Sequence, residues 1–69
     1  MTVEKLAENI KSKMATRKMT AYKIIKKGVH KEKVYAVLQM GAGAKKNYTA
    51  ATLFEVLRAA ELELYEVAV

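Results

Sequence analysis

A chain of 69 residues with no cysteine, no proline and a net charge of +6 excludes a disulfide-stapled fold and a thiolate zinc site. The length suits one domain, residues 1–69, near the lower limit for a core that holds without help, and the 52% apolar content points to compact packed helices. No apolar run approaches the roughly 18 residues of a membrane span and the N-terminus lacks a signal-peptide apolar stretch, so a cytoplasmic protein without membrane association is expected.

Taken in chain order, Thr2 is placed to cap a first helix over about Val3 to Ala15, with Val3, Leu6, Ile10 and Met14 on one stripe and Ala7 beside them. Thr16 to Met19 form a short polar connection. Thr20 caps a second helix ending at Lys27, whose last-turn lysines suit the negative end of the helix dipole. Gly28 stands where the chain must turn with φ > 0, and Val29 can plug the angle that follows.

A third helix is predicted from Lys31 to Met40, with Val34, Val37 and Leu38 repeating at helical spacing. Advancing 100° per residue from Val34 puts Val37, Leu38 and Gly41 toward the core and Glu32, Ala36 and Gln39 near the opposite side. Gly41 to Asn47 reads as a flexible basic loop. Thr49, or alternatively Asn47, opens a fourth helix carrying Leu53, Phe54, Val56, Leu57 and Ala60. In the tail, Leu62 and Leu64 alternate with Glu61 and Glu63, while Tyr65, Val67 and Val69 fall on the other parity. That pattern fits a strand with two faces, pairing with its copy in a second subunit across residues 61–69, or a continued helix.

The charge is polarised along the chain. Residues 9 to 47 carry eleven lysines and arginines against Glu32 alone, whereas residues 48 to 69 carry Arg58 against Glu55, Glu61, Glu63 and Glu66. A polyanion is expected to meet the first part, while the second faces solvent or another subunit.

Two short helices joined at a glycine form the helix-turn-helix pattern, whose second helix lies in the DNA major groove. Lys31 at the start of that helix can donate to guanine O6 and N7, and Glu32 can accept from a cytosine amino group or pair with a neighbouring lysine. Ala36 leaves room for close approach or for a thymine methyl, Tyr35 can touch a base edge or a phosphate, and Gln39 can bond the DNA backbone. His30, the single histidine, is a turn residue or phosphate contact and not a metal ligand, because no second ligand type lies nearby.

Thr20, Gly28-Val29, Val34, Val37-Leu38 and the later Thr52-Leu53 together resemble the Cro/lambda-repressor-type helix-turn-helix family over about residues 3 to 64. The resemblance implies an all-α fold, a compact four-helix domain; the acidic tail, which is not part of the family pattern, adds a strand or continues a helix. It also implies DNA base reading by Lys31, Glu32 and Ala36, to which the helical geometry adds Tyr35. Thr20, Gln39, Lys45 and Lys46 would contact the DNA backbone, with Lys13, Arg17 and Lys18 approaching flanking phosphates and His30 and Lys33 beside them. The chain departs from the family pattern at Ile24, where alanine is usual, and at His30, where a serine or threonine cap is usual.

The expected function is therefore a sequence-specific double-stranded DNA-binding regulator of transcription, a phage- or bacterial-type repressor acting as a homodimer on an inverted repeat. The alternative is a protein-interaction module, such as an antitoxin or phage accessory factor, that uses the tail. No aspartate, one serine (Ser12) and one histidine leave no catalytic triad and no conventional metal site, so no enzyme, cofactor, metal or small-molecule ligand is expected.

Overall fold

The computed structural model describes residues 2–68 and is all-α, with no strand among the described residues. Five helices follow in order: α1 Val3–Thr16, α2 Ala21–Lys26, α3 Lys31–Leu38, α4 Ala50–Ala59 and α5 Leu64–Val67, with a 3-10 turn at Gly41–Gly43 between α3 and α4. No helix among the described residues is long and apolar enough to cross a membrane.

Hydroxyl caps start three of the helices. The side chains of Thr2, Thr20 and Thr49 accept from the backbone N–H of Lys5, Lys23 and Thr52 at 3.0, 3.2 and 3.2 Å, each satisfying a donor that the first helical turn leaves unpaired. The α1 stripe then buries Leu6, Ala7, Ile10 and Met14. These pack around α3, whose Val34, Val37 and Leu38 are almost fully enclosed, with Ile24 from α2 and Val56, Leu57 and Ala60 from α4. α3 is the central element, touching α1, α2 and α4.

The ends of the helices follow a rule that composition conceals. Lys18, Gln39 and Glu61 all sit in the left-handed region, at φ 56, 54 and 59, although none is glycine. In each case the next N–H reaches back five residues: Met19 to the Met14 carbonyl, Met40 to Tyr35 and Leu62 to Leu57, at 2.8, 2.9 and 2.9 Å. This 6→1 bond is the Schellman pattern, which satisfies an orphan carbonyl at the helix end. Each left-handed residue is followed by an apolar one, and the burial of Leu62 shows why the turn is tolerated. The third helix accordingly ends at Leu38, two residues before the predicted stop, and Gly41 lies exposed instead of facing the core.

Of its two expected forms the tail takes the helical one, as a separate short helix. It forms a fifth helix, not a strand, over Leu64–Val67, and Glu66 Oε2 accepts from the Glu63 N–H at its start (2.8 Å). It also packs against the basic part of the chain: Leu62 and Val67 are buried, and Asn9 Nδ2 donates to the Val67 carbonyl at 2.8 Å. A two-faced strand is unavailable to a segment whose Val67 is committed to the core; Val69, the last residue of that predicted strand, lies outside the described residues.

Candidate nucleic-acid interface

The approach to α3 is built as its sequence suggests. Gly28 has φ +105, a conformation in which an L side chain is strained even though a Cβ there would meet nothing within 4 Å. Val29 follows and is buried in the core, locking the angle between α2 and α3. His30 then acts as the N-cap: its Nδ1 accepts from the Glu32 N–H at 3.2 Å. That bond requires an unprotonated Nδ1, so the imidazole carries its proton on Nε2. Histidine thus does here what serine or threonine does elsewhere.

The first turn of α3 is open. Lys31, Glu32 and Lys33 are all exposed, and neither Lys31 nor Glu32 takes part in an ion pair among the described residues. Glu32 is favoured where it stands by the positive end of the helix dipole, without any partner side chain.

The second half of α3 is closed, contrary to the helical-wheel expectation. Ala36 is only 4% exposed and Tyr35 is half-buried against the core. The cause is the returning chain. Gln39 turns it left-handed, and its Nε2 donates to the Ala36 and Lys45 carbonyls, each at 2.6 Å. The 3-10 turn lies so close that a Cβ on Gly43 would come within 2.6 Å of the Tyr35 Cβ. Ala36 therefore offers no surface to a base, and the Gln39 amide nitrogen clamps the loop.

The basic side chains divide into two groups. Four are committed to carboxylates: Arg17 to Glu66, Lys27 to Glu61 (3.0 Å), Lys33 to Glu55 (3.0 Å) and Lys46 to Glu4 (2.6 Å). Arg17 Nη1 also donates to the Glu61 carbonyl and Lys27 Nζ to the Ala59 carbonyl, both at 2.6 Å, so these cations cap the end of α4. Arg17, Lys33 and Lys46, expected on phosphates, thus hold internal partners. Lys46 also tethers the loop expected to be flexible to the start of α1.

The pairs leave their mark on acidity. A hydrogen bond from Lys46 holds Glu4 below the usual carboxylate range and raises Lys46 in return. Glu66 is held down first by the Glu63 N–H and then by Arg17 and the charge of Lys13, against the opposing effect of burial.

Lys5, Lys11, Lys13, Lys18, Lys23, Lys26, Lys31, Lys45 and Arg58 are outside these pairs among the described residues. Lys18, Thr20 and Lys23 are brought together at the connection from α1 to α2, where Lys23 Nζ donates to the Lys18 carbonyl at 2.9 Å. The Thr20 hydroxyl caps α2 as an acceptor and keeps its own proton to donate. Lys26 stands 5.4 Å from the ring centre of the exposed Tyr22, a cation-π contact one turn along α2. Tyr48, by contrast, packs against the core, and burial pushes its hydroxyl pKa up.

No protein-family model, curated protein or solved structure matches this chain.

Proposed function

We propose that the chain is a sequence-specific double-stranded DNA-binding regulator of helix-turn-helix type, a repressor that acts as a dimer on an inverted repeat. The observation that carries the reading is the joint between α2 and α3: glycine at φ +105, a buried valine, then a capped helix whose first turn presents Lys31 and Glu32 to solvent. In this class of reader the N-terminal end of the second helix contributes most of the base contacts.

Base reading is assigned to Lys31 and Glu32, with Tyr35 at the margin and Ala36 removed. Lys31 supplies a donor for guanine and Glu32 an acceptor for a cytosine amino group. Lys13, Lys18, Thr20, His30 and Lys45 are assigned to phosphates, where they supply affinity without discrimination. Arg17, Lys33 and Lys46 could join them only by exchanging a glutamate for a phosphate, a feasible exchange because exposed ion pairs are weak and screened by salt.

Selection of binders from a randomised duplex pool at near-physiological salt tests the proposal. Enrichment of an inverted repeat with half-sites about one DNA turn, ~34 Å, apart supports it. Recovery of no preferred sequence, with binding that disappears as salt rises, contradicts it.

A further inference from the structure

α4 is apolar on two sides. Val56, Leu57 and Ala60 face inward, whereas Phe54 is 50% exposed and, with Leu64 at 37%, borders an open groove of about 500 Å³ between α4 and α5. Arg58 and Glu63 line the same groove. The neighbouring carboxylates Glu55 and Glu61 are already neutralised by Lys33 and Lys27, but Arg58 and Glu63 enter no ion pair among the described residues. The groove thus presents exposed apolar surface with one cation and one anion outside any ion pair, the Glu63 carboxylate also serving in the capping box that starts α5.

We infer that this groove is a self-association face, occupied by the same groove of a second copy of this chain. A two-fold interface must be complementary to itself, because residue i meets j and j meets i. Arg58 of each copy faces Glu63 of the other, and both Phe54 rings are covered between them. A strongly acidic or strongly basic partner would leave one of the two charges opposed. The distribution of charge points the same way: two copies of net charge +6 repel, and the α4–α5 face, where Glu55, Glu61 and Glu66 are paired and Arg58 balances Glu63, is near neutral, so the repulsion there is small. The inference extends the dimeric reader proposed above, but its geometry does not depend on DNA.

Sedimentation of the full chain without DNA, from about 1 μM to 1 mM, tests it. The wild type should reach the mass of a dimer. R58E and E63R should each raise the dissociation constant about ten-fold or more by opposing like charges, and R58E/E63R should return it toward the wild-type value. F54A should also weaken the dimer. These positions are exposed, and circular dichroism verifies that each variant keeps its helices. A monomer throughout the range, or a double variant as weak as the two single variants combined, would overturn the inference. A monomer that still selects a single half-site overturns this face and spares the DNA reading; a charge-dependent dimer with no preferred duplex does the reverse.

Discussion

The two ends of α3 are built from opposite devices. At its start, Gly28 supplies the left-handed turn, Val29 fills the corner and His30 caps the helix, leaving Lys31 and Glu32 in water. At its end, Gln39 takes the left-handed turn, and the chain folds back over Tyr35 and Ala36. One helix therefore has an open first turn and a covered second half. A helix that entered a groove along its whole length would need both halves free, so the proposed DNA reading confines discrimination to a few side chains at the start and leaves most of the affinity to phosphate contacts by lysines.

The entry to α3 depends most on Ile24. This residue is fully enclosed and is the buried residue through which α2 is held against the core. Ile24→Ala should cost about 2–5 kcal/mol, measured by urea unfolding. A cost well under 1 kcal/mol would mean that α2 is positioned by its turns alone.

The next test sets two glycines against each other. Gly43→Ala places a methyl group against Tyr35 and should cost about 1–3 kcal/mol, with increased amide exchange from Gln39 to Lys45 as the loop moves off. Gly28→Ala meets no neighbour and should cost about 1–2 kcal/mol from backbone conformation alone, leaving that loop protected. Equal exchange patterns in the two variants would show that the loop does not cover α3.

A smaller contrast separates the helix ends. Lys18→Gly relieves a left-handed residue and should stabilise by up to about 1 kcal/mol. Gln39→Gly relieves the same backbone but removes two side-chain hydrogen bonds to the Ala36 and Lys45 carbonyls, so it should gain nothing. If both variants gained equally, the Gln39 clamp would be without consequence.

The smallest effect concerns the tail. Glu66 is a carboxyl whose acidity is strengthened in the folded state, so its contribution is present above the ordinary glutamate pKa and lost as pH falls through the lower folded value. Glu66→Gln should therefore lower stability at pH 7 and flatten the acid limb of the stability profile. An unchanged limb would assign the acid sensitivity to Glu4 or another carboxylate.

What the sequence discloses follows from how local each device is. Thr2, Thr20 and Thr49 announce helix starts because a hydroxyl bonds an amide three residues away, and Gly28 announces its turn because few residues tolerate that φ. The left-handed ends at Lys18, Gln39 and Glu61 carry no such mark, since a lysine, glutamine or glutamate there is stabilised by the bond and packing that follow. A helical wheel placed Ala36 opposite Val34 correctly but is silent about a loop folding over it. The apolar content of α4 likewise does not say which side chains are enclosed: Phe54 is exposed because α4 has more apolar side chains than one core face can cover. The alternation of Leu62, Leu64 and their glutamates imitated a strand, yet Glu63 and Glu66 meet across a single helical turn.

In the proposed function, DNA is read by the first turn of α3 and not by its end. That assignment is tested most directly by measuring Lys31→Ala and Gln39→Ala on the preferred duplex and on each of its single-base variants. Lys31→Ala should lose about 1–3 kcal/mol on the preferred duplex and relax the preference at one position, while Gln39→Ala keeps every preference. Loss of a base preference in Gln39→Ala, with Lys31→Ala weakening all duplexes equally, would contradict the account.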